Sequence, residues 1–270
     1  MQKTTVLNTP LDGIERWLIG GDWHSFDIHE PTFNILIKMA KLDSYINRRL
    51  IINGDFLDIV YGMTKNDGFK FWKSKAHNAE EFFLPKWEEE AEWGNKMLDK
   101  LQQVFSQIIY IGGNHDQPRL NNIVKCVGAG YDHEFDIKTK LRLEERKIPF
   151  IPYNCWLDFG KLSITHGMAH GATACKKHYE FSGARNVIFS HVHQYECKPF
   201  HHRGETIQVT SLPAMCGLNP EYMRNTDNNW SNGFGEIFMR PDGNFNLYVH
   251  QIWNDILPLR NGQILSGKTL

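Results

Sequence analysis

The sequence predicts an α/β fold in a single domain. Short apolar runs typical of buried strands alternate with amphipathic helical stretches through the first half of the chain, and the part after residue 193 is mostly β. Of the 270 residues, 41% are hydrophobic and 23% are charged, which is enough apolar material for one large core. No repeat, low-complexity tract or linker interrupts the chain, so we predict one domain over residues 1–270.

The first half of the chain follows a β-α-β order. A strand is predicted over residues 17–21, and Glu30-Pro31 opens a helix with proline in its first turn. Residues 50–53 form the second strand, so a right-handed crossover and a parallel pair are expected. Residues 61–85 show no clean period and are interpreted as an insertion rich in lysine and aromatic side chains.

The rest of the chain continues with helices and then with antiparallel strands. A helix is predicted over residues 86–107 and a strand over residues 108–111. The later elements are a helix from Pro118, a helix over 136–146, a hairpin of 150–156 with 161–165, a helix over 171–181, and strands over 206–210, 235–239 and 245–250. The second half is therefore expected to extend the α/β core with antiparallel strands.

Charge and cysteine content exclude several classes of protein. The formal net charge is -1, so no global basic character favours nucleic acid, and any basic surface has to be local. No run has the length of a membrane span, and residues 1–15 lack the apolar stretch of a signal peptide. The five cysteines form no C-x-x-C pair and are odd in number, so we expect buried thiols in a reducing cytoplasm rather than disulfides or structural zinc.

Polar side chains cluster where the predicted strands end. They are Asp22, His24, Asp55, Asn114, His115, His166, His191 and His193. Oxygen and imidazole donors suit Mg, Mn, Fe, Zn or Ni better than a thiolate-selected metal. Asp55 stands alone after the second strand and is the best candidate for a carboxylate that bridges two ions. His191 and His193 are two residues apart, so on an extended strand end each can serve a different ion.

Two such ions would give the site a hydrolytic chemistry. Ions about 3.5–4 Å apart can clamp a phosphate and lower the pKa of a shared water, and the metal-bound hydroxide then attacks phosphorus. The leaving alkoxide needs a proton, and His115 is free to supply it because it need not be a ligand itself. Asp116 has two open interpretations: it orients the His115 ring, or it caps the helix that begins at Pro118.

Five motifs appear in one order along the chain, each after a predicted strand. They are D-x-H (Asp22, His24), G-D-x-x-D (Gly54, Asp55, Asp58), G-N-H-D (residues 113–116), H-G (His166, Gly167) and H-x-H (His191, His193). Together they resemble the calcineurin-like metallophosphoesterase superfamily over residues 18–209. The resemblance implies a four-layer α/β/β/α sandwich with two mixed β-sheets and a dinuclear metal site at the strand ends.

The same resemblance implies how the ligands and the catalytic histidine are divided. The first ion takes Asp22, His24, Asp55 and His193, and the second ion takes Asp55, Asn114, His166 and His191. His115 corresponds to the family's acid or phosphate-contacting histidine. Two divalent ions are therefore expected as cofactors, with manganese as the first choice and iron, zinc, nickel or magnesium as alternatives.

Departures from the family pattern indicate which branch of the superfamily the chain resembles. The glycine of the usual G-H-x-H motif is replaced by Ser190. Ser/Thr protein phosphatases carry an arginine just after G-D-x-x-D and end the next motif in glutamate, where this chain has Ile59 and Asp116. The pattern is closer to the phosphodiesterase and nuclease branches, including the DNA-repair nuclease subunit of the double-strand-break complex. We therefore predict a phosphodiesterase or nuclease acting on nucleic acid or a nucleotide.

Several alternatives stay open at this point. A phosphomonoesterase for a small phosphate or a phosphoprotein is the second hypothesis, and a non-catalytic scaffold on this fold is the third. Candidate substrate contacts are Arg119, just past the metal loop, and Lys73 and Trp72 of the insertion, whose aromatic side chains could instead pack on the domain. Asp58 is interpreted as a helix cap, with catalysis as its alternative. No membrane partner is expected, and the oligomeric state is not predicted.

Overall fold

Strands and helices alternate through most of the chain, of which a computed structural model describes residues 3–42, 47–59, 79–127, 133–220 and 227–269. The strands are β1 (Thr4–Leu7), β2 (Glu15–Gly20), β3 (Arg49–Asn53), β4 (Gln107–Ile111), β5 (Phe150–Ile151), β6 (Trp156–Phe159), β7 (Leu162–Ile164), β8 (Asn186–Phe189), β9 (Glu196–His202), β10 (Glu205–Ser211), β11 (Asn232–Met239), β12 (Phe245–Ile252), β13 (Ile256–Pro258) and β14 (Ile264–Ser266). The helices are α1 (Glu30–Lys41), α2 (Ala79–Gln102), α3 (Gln117–Val127), α4 (Ile137–Lys140) and α5 (Ala174–Phe181), with a 3-10 turn at Ser25–Asp27.

The strands of the first half form the centre of sheet I, whose order is β12-β11-β2-β3-β4-β5. Strands β2 to β5 are mutually parallel, as expected for β-α-β units, and β11 and β12 add antiparallel on the other side of β2. Because parallel strands run in one direction, the segments that follow β2, β3 and β4 leave the sheet at the same edge.

Sheet II has the order β1-β6-β7-β8-β10-β9. Strands β7, β8 and β10 are parallel neighbours, whereas β6 and β7 form an antiparallel hairpin that turns at Gly160. Gly160 has a φ of +58°, and a Cβ there would lie 2.6 Å from the carbonyl oxygen of Gly243, so the turn requires glycine. The segments after β7 and β8 leave sheet II at a common edge.

The alternation of side chains along the strands divides the core into layers. Ile19 and Ile51 pack against Ile188 of sheet II in a core between the two sheets. Leu18, on the opposite face of β2, belongs to the core that α1 and α2 build over sheet I. On the far side, α5 covers sheet II through Cys175. The predicted α/β class and its four-layer α/β/β/α sandwich with two mixed sheets are therefore confirmed.

The second helix begins and ends earlier than predicted. Helix α2 spans Ala79–Gln102 and contains Pro85, which the prediction placed before the helix. Phe83 and Trp87 lie one turn apart and are both fully buried, so packing stabilises the turns around the proline at the expense of one backbone hydrogen bond.

Other elements of the second half differ in pairing or length. Phe150–Ile151 pairs with β4 in sheet I, so the predicted hairpin is formed by β6 and β7 instead. The predicted helix over 136–146 is regular only at Ile137–Lys140. Of the predicted insertion, residues 79–85 belong to α2, and residues 61–78 lie outside the described residues.

The expectation of buried thiols holds for two of the four described cysteines. All four are free thiols; Cys175 and Cys216 are buried, whereas Cys155 and Cys197 are half-buried. Within the described ranges, no helix is both long and apolar enough to cross a membrane.

Candidate metal centre

All seven predicted metal ligands meet at one edge of the sandwich. Sheet I supplies Asp22 and His24 after β2, Asp55 after β3 and Asn114 after β4, and sheet II supplies His166 after β7 and His191 and His193 after β8. The carboxyl ends of parallel strands from both sheets open here, so the topology itself brings these side chains together. Asn114 and His191 are half-buried, and the other ligands are buried.

One cluster of donor atoms surrounds His193. Its Nε2 lies 3.2 Å from Nε2 of His24 and 3.3 Å from Oδ1 of Asp22. Nε2 of His24 lies 4.0 Å from Oδ2 of Asp55. Atoms about 2.1 Å from a shared ion lie roughly 3–3.4 Å from one another, so the two distances from His193 match the ligands of one ion, whereas the distance from His24 to Asp55 is wider. The two imidazole nitrogens, 3.2 Å apart, are close enough to share a hydrogen bond in the absence of metal or to bind one ion through both lone pairs.

A second cluster surrounds His166. Its Nε2 lies 3.2 Å from Oδ2 of Asp55 and 3.1 Å from Oδ1 of Asn114. The other ring nitrogen, Nδ1, donates to the carbonyl oxygen of Asn53 at 2.9 Å, which leaves Nε2 with a lone pair for a ligand. The His191 ring lies 5.3 Å from that of His166, centroid to centroid, and donor atoms of Asp55, His166 and His191 form one potential metal-binding group.

The carboxylate of Asp55 is shared by both clusters, as a bridging ligand has to be. Burial acts to raise its pKa, but the imidazoles of His166 and His115 outweigh burial and hold the pKa of Asp55 well below its usual value. Burial would lower the pKa of His166, yet the carboxylates of Asp55 and Asp22 raise it to about 9. The pocket therefore stabilises positive charge, and its oxygen and imidazole donors fit a pair of divalent cations.

His115 is held by a carboxylate and a guanidinium beside the two clusters. Its Nδ1 contacts Oδ1 of Asp58, and Arg119 donates from Nη2 to Nε2 of His115 at 3.0 Å. Arg119 also donates from Nη1 to the same Oδ1 of Asp58 at 2.7 Å. Donor atoms of His115 lie within 4.8 Å of those of His24 and Asp55, so the ring adjoins the first cluster.

The side chain of Asp116 has neither of the two roles considered from the sequence. Its Oδ2 accepts the backbone N–H of Gly113 at 2.7 Å, and its Oδ1 accepts that of Leu57 at 3.0 Å. Burial and the neighbouring Asp55 carboxylate raise the pKa of Asp116 to about 6. Asp116 thus ties the loop after β4 to the loop after β3, and Asp58 takes the place beside His115 that the sequence offered to Asp116.

The backbone of the ligand loops is strained and closely packed. Left-handed φ angles occur at five ligands: Asp22 (+56°), His24 (+52°), Asp55 (+47°), His191 (+73°) and His193 (+58°). Such angles cost roughly 1–3 kcal/mol each for a residue with a side chain and are typical of functional sites. At Gly113, a Cβ would lie 2.0 Å from Oδ1 of Asp55, so this position requires glycine for the loop to approach the shared carboxylate.

The structure adds residues that no motif indicated. Trp230 covers His193 with ring centroids 4.1 Å apart, and Tyr153 lies 6.2 Å from His166. Cys216 is buried, with its Sγ 3.9 Å from Nδ1 of His193. These residues lie on loops between strands, and none of the five motifs includes them.

The predicted substrate contacts divide into one that lies at the site and two that cannot be placed. Arg119 lies at the site, on His115 and Asp58. Lys73 and Trp72 lie outside the described residues. Residues 60–78, which follow Asp58, also lie outside them, so the predicted helix cap at Asp58 stays a prediction.

No protein-family model matches the sequence, and no curated protein matches it. Vps29 from Chaetomium thermophilum aligns with a TM-score of 0.45 and 11% identity, over 93% of this chain and 94% of that protein. A zinc complex of wild-type Vps29 from Entamoeba histolytica has a TM-score of 0.45 and 11% identity, over 94% and 100% of the two chains. A predicted phosphoesterase from Streptococcus pneumoniae has a TM-score of 0.33 and 11% identity, over 88% and 98%. Because these TM-scores are below 0.5, we infer the function from the side chains of this protein.

Proposed function

We propose that the protein hydrolyses phosphate esters with two divalent metal ions, as a phosphodiesterase or nuclease of the calcineurin-like kind. The observation that carries the proposal is the position of Asp55, whose Oδ2 lies 3.2 Å from Nε2 of His166 and 4.0 Å from Nε2 of His24. One carboxylate between two sets of imidazole donors is the arrangement that a pair of neighbouring ions requires.

In this proposal, the ligands divide between the two ions as the resemblance implies. Asp22, His24, Asp55 and His193 would hold the first ion, and Asp55, Asn114, His166 and His191 would hold the second. When bound, the two ions would polarise the phosphate ester and make a water molecule acidic enough to attack near neutral pH. Manganese remains our first choice among the metals that this donor set accepts, and iron, zinc, nickel and magnesium are the alternatives.

The chain itself would supply the proton for the leaving group and hold the phosphate. Asp58 fixes Nδ1 of His115, which turns Nε2 toward Arg119. In our proposal, Arg119 leaves Nε2 for the phosphate oxygens when the substrate binds, Nε2 takes up a proton from solvent, and the resulting imidazolium, paired with Asp58 through Nδ1, protonates the departing alkoxide. Asp58, His115 and Arg119 are half-buried, so their contacts are partly shielded from water and are stronger than at a fully exposed surface.

A comparison of esters under defined metal loading tests the proposal. Purified protein loaded with manganese is analysed for bound metal and then assayed with bis(p-nitrophenyl) phosphate, p-nitrophenyl phosphate, and single- and double-stranded DNA. We expect about two ions per chain and preferred cleavage of the diester. The variant Asp55→Asn is the inactive control, and Asp99→Asn, which alters a surface ion pair with Arg146, is the matched active control.

Each other result selects a different function. Cleavage of the monoester alone would overturn the diesterase assignment and favour a phosphomonoesterase of small phosphates or phosphoproteins. Two bound ions without hydrolysis of any ester would favour a non-catalytic scaffold. Absence of bound metal, with no rescue by manganese, would overturn the dinuclear site itself.

A further inference from the structure

A cleft of about 800 Å³ lies on the outer face of sheet I, along its edge strand β12. Arg16, in the floor of the cleft, is the second residue of β2. The candidate metal ligands follow the other end of this strand, so the cleft and the metal centre lie at opposite ends of β2. The turn between β13 and β14 forms the facing wall. Small-molecule sites commonly measure roughly 300–1,000 Å³, so the cleft is large enough for an organic ligand.

The floor of the cleft is a buried polar network. Arg16 and Glu236 are 5% and 7% exposed, and Nε of Arg16 donates to Oε1 of Glu236. Nε2 of His250 lies 2.8 Å from the other oxygen, Oε2, and Nη2 of Arg16 donates to the carbonyl oxygen of Met39 at 3.1 Å. Both oxygens of the carboxylate are occupied, so its charge is compensated and presents little repulsion to an anion in the cleft.

The rim of the cleft offers a cation and aromatic surface. The guanidinium of Arg260 lies 4.6 Å from the ring centroid of Tyr248 and is exposed to solvent. Among the described residues, no carboxylate forms an ion pair with Arg260. Trp253, on the same rim, is 65% exposed, although burying a tryptophan side chain in a folded protein is strongly favourable. An exposed indole and a cation without a described carboxylate partner, both lining one cleft, favour a ligand that contacts both.

We propose that this cleft is a second binding site, separate from the metal centre, for a planar aromatic anion. The ring of the ligand packs against Trp253 and Tyr248, and its anionic group pairs with Arg260. Nucleotides and aromatic carboxylates or sulfonates belong to this class. Among the described residues of the lining, Glu236 is the single acidic one, against Arg16 and Arg260, so the charge of this part of the cleft is complementary to such a ligand.

Two fluorescent probes that differ in charge test the proposal on the full chain. Anilinonaphthalene sulfonate is a planar aromatic anion, and N-phenylnaphthylamine has the same rings without the sulfonate. We expect one saturable site for the sulfonate, displaced by AMP and unchanged by a chelator. Arg260→Gln weakens binding of the sulfonate about tenfold and leaves binding of the neutral amine within about twofold, because it removes only the charge pairing. Trp253→Ala weakens both probes.

Matched variants and opposite results make the test decisive. Arg240→Gln alters another exposed arginine, paired with Asp242, and leaves both probes unaffected. Thermal unfolding of each variant confirms that the fold is retained. Equal loss of both probes in Arg260→Gln, no loss of either, or binding that disappears with the chelator would overturn the assignment. The last result would place the probe at the metal centre instead.

Discussion

The substitution Asp58→Asn tests how His115 is prepared for proton transfer. Oδ1 of Asp58 contacts Nδ1 of His115, accepts Nη1 of Arg119 at 2.7 Å and lies 3.5 Å from Nδ1 of His24. Asparagine has nearly the same shape and retains one acceptor oxygen, so it removes the charge of the carboxylate with little change in packing. Both contacts then become hydrogen bonds to a neutral acceptor.

The size of the effect follows from these two contacts. A hydrogen bond to a charged group contributes about 1.5–3 kcal/mol, against about 0.5–1.5 kcal/mol for a neutral one. The loss at His115 is then about 1–1.5 kcal/mol, and the loss at Arg119 is similar. The sum of about 2–3 kcal/mol corresponds to roughly 30- to 150-fold in rate, at about 1.36 kcal/mol per factor of ten. This lies toward the lower end of the roughly 10²–10⁴-fold contribution of a general acid.

Substrates with different leaving groups isolate that effect. A dinucleotide releases an alkoxide that needs a proton, whereas bis(p-nitrophenyl) phosphate releases a stable phenolate that does not. At saturating manganese, we expect Asp58→Asn to slow the dinucleotide by about 30- to 150-fold and the aryl diester by only about 5- to 13-fold, because the aryl diester loses the Arg119 contribution alone. Adding His115→Ala to Asp58→Asn produces a smaller loss than His115→Ala causes in the unmodified protein, because the two residues act together. Asp99→Asn, at a surface ion pair, is the matched control with unchanged rates.

Three outcomes would refute this reasoning. Equal slowing of both substrates would show that Asp58 acts on metal or substrate binding and not on the proton. A double variant that loses the product of the two single effects would show that Asp58 and His115 act independently. Loss of bound metal in Asp58→Asn at saturating manganese would show that the main role of Asp58 is to orient the candidate ligand His24, which lies 3.5 Å away.

Three further predictions concern the metal centre and the buried histidine of sheet II. Asp55→Asn is expected to reduce both bound ions together in elemental analysis, and loss of a single ion would contradict a shared carboxylate. Gly113→Ala places a Cβ 2.0 Å from Oδ1 of Asp55 and is expected to abolish metal binding. The control Gly217→Ala, where the nearest atom is 3.6 Å from the new Cβ, is expected to bind metal normally. Metal retained in Gly113→Ala would show that the loop can shift. Burial lowers the pKa of His178 to about 4, so its contribution to stability is complete above the unfolded value of 6.5 and is lost as pH falls toward 4. Urea unfolding is expected to show about 2 kcal/mol of this loss between about pH 7 and pH 5, absent in His178→Leu, and parallel pH curves for the two proteins would disprove it.

The proximity of the candidate ligands could be predicted because it depends on local patterns. Each candidate ligand follows an apolar run of strand composition, and parallel strands end at a common edge, so strand ends that are distant in sequence become neighbours. Asp55 illustrates this relation: it follows β3, and β3 lies between β2 and β4 in sheet I. Because β3 lies between β2 and β4, Asp55 lies between the side chains that follow those two strands and can be shared by both clusters.

The partners of individual side chains could not be predicted in the same way. Asp58 and Asp116 are both acidic residues after strands, and the choice between them depends on the direction in which each loop turns. Cys216 reaches His193 because the N–H of Met215 donates to the carbonyl oxygen of Gly21 at 3.0 Å, a long-range contact without a local sequence signal. The start of α2 was misplaced for a related reason, since burial of Phe83 and Trp87 outweighs the local effect of Pro85.

The metal centre lies across the junction of the two sheets, and this position links metal supply to the integrity of the sandwich. His193 comes from sheet II, whereas its partners Asp22 and His24 come from sheet I, and His166 and Asn114 are divided in the same way. Each ion would therefore have its full set of ligands only while the two sheets are packed together, so metal binding would stabilise that packing. Every tenfold rise in free metal above its dissociation constant would add about 1.4 kcal/mol to the docked state. A cell that withholds metal would loosen the sandwich as well as stop its chemistry, and proteolysis could then set the lifetime of the protein.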